Sequence, residues 1–571
     1  MKNKKIKFKI NDIDVEGNEG DKIIDVAKKF NIRIPHLCYH PRLESVGACR
    51  LCIVEVEGIS KPVTSCSTPI REGMVVRTHT PRILKDRKTN LQLILANHDY
   101  SCLTCSHNLK CKLQKYAEEY GIEKIPFEGE KRISVPDFSS TSIVRDNSKC
   151  ILCGRCVRMC QDVQTVNAIG FENRGFYTTV TTPFNVPMNN SSCVNCGQCV
   201  IVCPTGALRE KTNLDEVIEI LNSGKYVIAQ TAPSIRASLG ECFGMEAGVA
   251  VTGKMVSALK QIGFKKVFDT NFGADLTIIE EATEFIKRFK SKKNLPLIST
   301  CCPAWIKFGE QFFYEELEHM STCKSPQAMT SSLVKTYFAK KMKIKPEDIV
   351  MVDIMPCTAK KFEITRSELK HDTDFVLTTV ELAKLIKQFS VDFENLKDSN
   401  FDNPMGESTG ASDIFGRTGG VMEAALRTAA DFITGKDNSD IEFKQIRGLK
   451  TLKEFEFKIG KETIKAAAVH TLGEARKIME QIQAGTCPYH FIEIMACYGG
   501  CVGGGGQPRY EDDEVLNKRA EALNNEDRKK KLRKSHLNPS ALKIYKDYIG
   551  EFGGKKAHEL LHTKYIKRES M

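Results

Sequence analysis

The sequence predicts a multidomain chain, with small α+β modules over roughly its first third and a large α/β domain with partly parallel sheets after them. Three observations predict this. The chain has 571 residues, room for about four domains at roughly 150 residues each. It carries 23 cysteines, most of them before residue 210 in short C-x2-C runs, the spacing of metal sites rather than of disulfide frameworks. Beyond residue 210, apolar strand-like runs alternate with helical patterns, as in strand–helix–strand units.

Residues 1–80 form the first domain. In KIKFKINDIDVEG, apolar and polar residues alternate about Asn11-Asp12, which predicts a hairpin, and DKIIDVAKKFNI predicts a short amphipathic helix. Cys38, Cys49, Cys52 and Cys66 follow, spaced C-x10-C-x2-C-x13-C. A close pair with two outliers resembles a plant-type 2Fe-2S ferredoxin domain, with wider spacing than in the soluble carriers; structural zinc is the alternative. Residues 81–125 carry His98, Cys102, Cys105 and Cys111, spaced H-x3-C-x2-C-x5-C. Alone this also suits zinc, but NHDYSCLTCSHNLKC resembles the His-plus-three-Cys 4Fe-4S segment beside 2Fe-2S domains in hydrogenases and respiratory dehydrogenases. His107 is expected at the surface. Residues 126–145 are a polar connector containing Pro126 and Pro136. Residues 146–209 form a double 4Fe-4S ferredoxin-like domain. It contains CILCGRCVRMC (Cys150, Cys153, Cys156, Cys160) and CVNCGQCVIVCP (Cys193, Cys196, Cys199, Cys203). Each is C-x2-C-x2-C-x3-C, in which the fourth cysteine ligates the other cluster. Cys150, Cys153 and Cys156 therefore group with Cys203, and Cys193, Cys196 and Cys199 with Cys160. Zinc ribbons do not repeat this spacing twice.

Residues 210–571 are the α/β domain. YVIAQTAPS, KVFDTNFGAD, LPLIST, IVMVDIMP, AAAVHT and FIEIMA read as strands; EEATEFIKRF, VELAKLIKQF and GVMEAALRTAADFI read as helices. Three strands end on cysteine. Leu295–Thr300 runs into Cys301-Cys302-Pro303, Ile349–Pro356 into Cys357, and Phe491–Ala496 into Cys497, with Cys501 and four glycines close behind. A loop that is nearly all glycine lets backbone approach something bulky, and open α/β sheets build sites at the carboxyl ends of their strands. Cys302, Cys357, Cys497 and Cys501 are therefore read as four thiolates on one iron–sulfur cluster.

Charged content of 27% and hydrophobic content of 41% are those of an ordinary globular protein. The basic N-terminus lacks the apolar segment of a signal peptide, and no run of 18 apolar residues predicts a membrane span. Cysteine in metal-site spacing implies a reducing compartment, so a cytoplasmic location is expected. The formal charge of +12 counts every cysteine as neutral, and thiolate-bound clusters carry negative charge. It is accordingly read as a basic patch for an acidic electron carrier rather than as nucleic-acid binding.

STCCPAW (299–305), MPCTAKKFE (355–363) and MACYGGCVGGGGQP (495–508) resemble the three signature segments of FeFe-hydrogenases, and the resemblance covers essentially the whole chain. The domain order resembles that of the large monomeric clostridial-type enzymes. The resemblance implies reversible reduction of protons to hydrogen at an H-cluster. That cofactor is a 4Fe-4S cube joined through Cys501 to a two-iron unit bearing CO, cyanide and an azadithiolate bridge. One 2Fe-2S and three accessory 4Fe-4S clusters would feed it. It implies Cys302, Cys357, Cys497 and Cys501 on the cube, Cys301 as the thiol that exchanges protons with the bridge amine, Lys360 on a cyanide, and Met355 and Met495 packed on the two-iron unit. Ala232, Pro233, Ser234, Gln327 and Phe415 would surround it. The family's proton relay maps onto Cys301, Glu281, Ser321, Glu284 and Arg288; Glu281, Glu284 and Arg288 also share one helix face, where an exposed ion-pair face is the plainer alternative. Implied partners are a ferredoxin or similar acidic carrier and hydrogenase maturation proteins. Of the two ferredoxin-type clusters, Cys193–Cys203 is expected toward the surface and Cys150–Cys156 toward the cube, or the reverse.

Departures from the family pattern are Ser299-Thr300, where Thr-Ser is usual; Cys323, read as a small core residue or as a redox-active thiol that alters oxygen response; and Arg417, for which the sequence offers no account. HELLH (558–562) has the zinc-protease spacing but reads as a terminal helix packed on the large domain. RKKKLRK (528–534) reads as a solvated helix face before a docking site for an acidic partner. Cys242 and Cys487 read as buried thiols. Two other classes share features of the chain: a non-catalytic iron–sulfur assembly protein, which lacks the full signatures, and a hydrogen sensor, which adds a signalling domain.

Overall fold

Asn11 and Asp12 both adopt the left-handed region, with φ of 49° and 68°, as a two-residue hairpin demands. They fold β1 (Lys5–Ile10) back on β2 (Ile13–Asn18), with Ile10 opposite Ile13. The structure, a computed structural model, describes residues 4–132, 134–369, 372–437, 443–459 and 462–569. Two compact units emerge: one of Met1–Val163, Asn167–Ser191 and Val202–Arg209, the other of Gln164–Val166, Ser192–Ile201 and Glu210–Met571.

In the first unit β3 (Ile53–Val56), β4 (Val63–Thr64) and β5 (Val75–Arg77) complete a five-stranded sheet of order β2-β1-β5-β3-β4. Alternate residues Ile6, Phe8 and Ile10 face inward, as the two-residue period of a strand requires. They pack on Ile23, Ile24, Val26 and Ala27 of α1 (Ile23–Lys29). Thr80 caps α2 (Pro81–Ala96), accepting from Ile83 N with Pro81 in the first turn, where its missing N–H costs nothing. Leu91 and Leu95 of α2 pack with Leu113 and Tyr116 of α3 (Lys112–Glu119) on Leu37 and Leu51.

The second unit holds two four-stranded sheets. In one, β6 (Tyr226–Thr231), β7 (Lys266–Asp269), β9 (Ile349–Met355) and β10 (Phe375–Thr378) run parallel in the order β7-β6-β9-β10. All seven residues of β9 are buried. Val350, Val352 and Ile354 join one apolar cluster while Ile349 and Met351 join another, as in a parallel sheet covered on both faces. In the other, β8 (Leu297–Ile298) and β12 (Glu462–His470) flank β13 (Phe491–Met495) in parallel, and β11 (Leu452–Ile459) closes the edge as an antiparallel hairpin strand.

The stretch KVFDTNFGAD, read as one strand, is a strand only to Asp269. Its side chain accepts from Asn271 N and starts α4 (Thr270–Ser291), since an N-cap carboxylate satisfies an otherwise orphaned amide. Strands β10 and β11 escaped the sequence reading; β11 alternates apolar residues with lysine and glutamate.

Candidate metal centre

Each strand pointing at the site stops where a side chain is delivered. β6 leads into Ala232-Pro233-Ser234, β9 into Pro356-Cys357 and β13 into Ala496-Cys497, while Cys301 and Cys302 follow Ser299-Thr300 after β8. Cys302 is the N-cap residue of α5 (Pro303–Phe312), and Gln327 sits in the first turn of α6 (Pro326–Leu333), capped by Ser325. These ends enclose one cavity, and pockets at strand ends are where α/β folds place their cofactors. Its wall contains Cys301, Cys302, Cys357, Cys497, Cys501, Lys360, Ala232, Pro233, Ser234, Gln327, Met355, Phe415 and Met495, together with Thr270, Pro326 and several glycines. Thus every cube ligand and surrounding residue expected from the sequence meets in one place.

Donor chemistry and orphaned polar atoms fit an iron–sulfur group there. Burial pushes the Cys357 thiol up to about 12 and raises Cys302, Cys497 and Cys501 as well; thiols so costly to ionise alone become thiolates on a metal. Ser234 Oγ and Gln327 Oε1 are buried without a hydrogen-bond partner. Burial opposes the charge of Lys360, but Glu363 accepts its hydrogen bond at 2.7 Å and keeps it protonated above the usual lysine range.

The glycine loop explains how backbone reaches the site. A Cβ on Gly504 would stand 2.2 Å from Pro356 O, and one on Gly505 would stand 2.7 Å from Cys196 O and from Gly197 Cα. The loop of Cys193, Cys196 and Cys199 therefore touches this site, with Cys196 O 4.0 Å from Cys497 Sγ. This goes against the first arrangement expected from the sequence, which put that loop toward the surface.

Glu281, Ser321, Glu284 and Arg288 lie outside the cavity wall. Burial raises Glu281, 1% exposed, to about 8 against the opposing hydrogen bond of Ser321. The Ser321 hydroxyl donates to Glu284 Oε2 at 3.3 Å, and Arg288 pairs with Glu284 Oε1 at 2.6 Å. Burial, the Cys501 and Cys302 thiols and then the carboxyls of Glu493 and Glu281 push Cys301 far up. Sequence reasoning missed Thr322, whose N and Oγ1 donate to the same Glu284 oxygen at 3.1 and 3.0 Å. It also missed Glu493 on β13, whose carboxylate accepts from Gly419 N at 2.6 Å and Met422 N at 2.8 Å. That carboxylate fixes the start of α7 (Gly420–Thr434), just after Phe415. A glutamate inside an otherwise apolar strand was the available signal.

The thiols of the first unit also gather. Cys150, Cys153, Cys156 and Cys203 line one cavity. Cys38 and Cys49 exchange backbone amide contacts at 3.4–3.5 Å; the hydrogen bond from Cys38 holds Cys49 down at about 5, and that from Cys52 lowers Cys66. Burial drops His98 to about 4, its Nδ1 without a hydrogen-bond partner, which suits a metal-bound imidazole. Burial raises Cys111, with smaller contributions from Cys105 and Cys102, and Cys105 and Cys111 border the 204–206 turn. Cys160 also lies in this unit.

Several expectations change. His107, expected at the surface, is 9% exposed. Cys242 and Cys487 are only partly buried. The run 528–534 is not simply solvated: Lys530 pairs with Asp413, Arg533 with Asp527 and Lys534 with Asp431. HELLH does form a terminal helix, α9 (Lys555–Leu561), whose Leu560 and Leu561 are buried. Cys323 is wholly buried and pushed far up by burial, so in the absence of a metal it is a protonated core thiol. Arg417 gains an account: fully buried, it donates to Asn524 Oδ1 at 2.7 Å and pairs with Glu423, tying the Phe415 loop to α8 (Asp513–Lys529). The Thr300 hydroxyl donates to Cys323 O at 3.0 Å, so the Ser-Thr exchange keeps a working hydroxyl.

Fold and site together define an iron–sulfur oxidoreductase. Residues 225–505 match the family model described as iron only hydrogenase large subunit, C-terminal domain. Residues 3–81 match a 2Fe-2S iron-sulfur cluster binding domain, 87–126 the NADH-ubiquinone oxidoreductase-G iron-sulfur binding region, 149–207 a 4Fe-4S dicluster domain and 513–568 the iron hydrogenase small subunit. Iron hydrogenase 1 of Clostridium pasteurianum is 41% identical, over 98% of this chain and 99% of its own. The NADP-reducing hydrogenase subunit HndD of Solidesulfovibrio fructosivorans is 45% identical over 97% of each chain. A solved variant of the apo [FeFe]-hydrogenase from Chlamydomonas reinhardtii aligns with TM-score 0.57 and 38% identity over 63% of this chain and all of its own. The chain belongs to the FeFe-hydrogenase family, with the clostridial-type complement of an H-cluster, 2Fe-2S and 4Fe-4S centres, and it catalyses hydrogen chemistry. Among the described residues, no helix is long and apolar enough to cross a membrane.

Proposed function

We propose that the chain interconverts protons and hydrogen with the roles divided as follows. Cys302, Cys357, Cys497 and Cys501 hold the cube. Lys360, Met355, Met495, Phe415, Ala232, Pro233, Ser234 and Gln327 surround the two-iron unit and keep bulk water out. The H-cluster, when bound, supplies the centre at which hydrogen forms or splits. Cys301 takes or gives the proton at the cavity wall; Glu281, Ser321 and Glu284 pass it along, and Arg288, paired with Glu284, stands at the outer end. Cys38, Cys49, Cys52 and Cys66 hold the 2Fe-2S centre; His98, Cys102, Cys105 and Cys111, and the two ferredoxin-type sets, hold the accessory 4Fe-4S centres. Electrons arrive through the loop of Cys193, Cys196 and Cys199. The domains are 1–80, 81–125, 126–145, 146–209 and 210–571.

One observation carries the relay: Glu281 is buried beyond the cavity wall, and a group that stays protonated to about pH 8 is a competent donor near neutrality. The test is hydrogen evolution with reduced viologen by matured protein, with infrared bands of bound CO and cyanide as proof of loading. Fully loaded protein that evolves no hydrogen would leave a sensor or scaffold instead.

The carrier we infer is an acidic ferredoxin in the cytoplasm, with maturation proteins inserting the two-iron unit. A second carrier reading rests on the near-full-length likeness to the NADP-reducing hydrogenase subunit: the chain then serves in a complex that exchanges electrons with a nicotinamide. Hydrogen-dependent NADP reduction by the protein isolated with its native partners separates the two.

A further inference from the structure

Cys323 and His562 of HELLH take no part in the proposed relay, yet the fold brings them together beside it. They pair as an antiparallel bridge. The Cys323 sulfur, a His562 ring nitrogen and a Glu284 carboxylate oxygen all lie within 4.8 Å of one another. The three residues come from α4, the segment before α6 and the end of α9. Cys323 and His562 are buried, whereas the Glu284 side chain keeps 14% of its surface exposed, which leaves an approach from solvent.

Their surroundings are those of a metal site. His562 Nε2 is 2.9 Å from Glu280 Oε2, and Tyr545 OH and Gly553 N also donate to that carboxylate. A histidine whose far nitrogen is held by a hydrogen-bonded carboxylate is the outer-shell arrangement that orients imidazole ligands on metals. It turns Nδ1 toward Thr322 Oγ1, 2.7 Å away, which itself donates to Glu284 at 3.0 Å.

We propose that Glu284, Cys323 and His562 form an inhibitory site for a borderline-soft divalent cation, with zinc as the probe. Thiolate, imidazole and carboxylate together suit zinc, whereas magnesium and calcium want oxygen donors alone. Zinc bond lengths of about 2.0–2.3 Å put tetrahedral ligand atoms roughly 3.3–3.5 Å apart. The trio reaches that spacing by closing about an ångström as the Thr322 hydroxyl swings out, with water in the fourth position. Cys323 releases its thiol proton on binding, so its thiolate and the Glu284 carboxylate balance the dication. The metal takes Glu284 away from the Ser321 hydroxyl; inhibition by this route rests on the relay proposed above.

Mature holoenzyme carrying one equivalent of zinc is examined by zinc-edge X-ray absorption, and hydrogen evolution is titrated with zinc chloride. The expected result is one sulfur neighbour at about 2.3 Å, lost in both Cys323→Ala and Cys323→Ser. Both variants should match wild type without zinc and need at least roughly tenfold more zinc for half-inhibition, the least effect of losing even an outer-shell partner. Zinc without a sulfur neighbour, or a spectrum unchanged by Cys323→Ala, overturns the site. Sulfur-ligated zinc that leaves hydrogen evolution untouched keeps the site and refutes the relay.

Discussion

Burial makes a carboxyl hold its proton, and Glu281 shows both what that costs and what it makes possible. In the unfolded chain it ionises near the ordinary glutamate value of 4.5, and in the fold it is pushed up to about 8. Between those values the folded state binds the extra proton, so stability falls as pH rises. Replacing it by Gln removes that slope. The stability gain of Glu281→Gln over wild type should grow by on the order of a few kcal/mol between pH 5 and pH 8, read as a widening gap between unfolding midpoints. The same variant should lose hydrogen evolution by roughly 10²–10⁴-fold while keeping its iron and its infrared bands. A variant that is active, or a gap that does not change with pH, would remove Glu281 from the relay. The carboxylates of the proposed relay were legible only through their resemblance to a family; helical spacing alone gives the same face to a surface ion-pair ladder. Thr322 was not legible, because a threonine beside a serine carries no signal until both face one carboxylate.

At the scale of elements, strand ends and a glycine loop make the site. The strand-end cysteines were readable because an apolar run that stops on cysteine repeats three times. The reason for the glycines was readable only in part: a close approach was expected, but not that it would be to the Cys196–Gly197 backbone. Gly505→Ala puts a methyl group 2.7 Å from that backbone and 2.9 Å from Thr358 Oγ1. Overpacking of this kind costs about 1–3 kcal/mol, so the variant should unfold earlier. It should also lose iron first from the 4Fe-4S centre of Cys193, Cys196 and Cys199, seen as a missing signal in electron paramagnetic resonance. Loss from the 2Fe-2S centre instead would contradict this placement. Strand β11 went unread because its charged residues resemble a surface loop; its Phe455 and Phe457 carry the period-two signal.

At the scale of the whole chain, residues 513–568, which match the small-subunit model, are bolted to the rest of the second unit by buried ion pairs. Asp527 of α8 accepts from both Arg427, on α7, and Arg533. Burial works against its charge, but the two guanidinium groups outweigh it and hold the carboxyl down at about 2. That contribution is present above the unfolded value of 3.8 and is lost as pH falls toward 2. Asp527→Asn leaves buried guanidinium groups short of a counter-charge and should cost about 3–5 kcal/mol, measured by denaturant unfolding at neutral pH. The gap between variant and wild type should shrink on acidification; a gap that held constant down to pH 2 would argue against ionic bolting. For the proposed ferredoxin, the apparent KM should rise with salt as exposed charges are screened; a salt-independent KM would disfavour an acidic carrier.

The sequence by itself determined the inventory: which segments carry the cysteines, in what order the cluster modules run, and which family the large domain joins. Ligand spacing and strand-end placement are local, and local patterns survive in one dimension. Tertiary structure decided what meets what. The Cys196 backbone against Cys497, Cys323 sealed in the core, and Glu284, Cys323 and His562 around one point each join segments far apart along the chain, and such distances are set only when sheets and helices close on a common core.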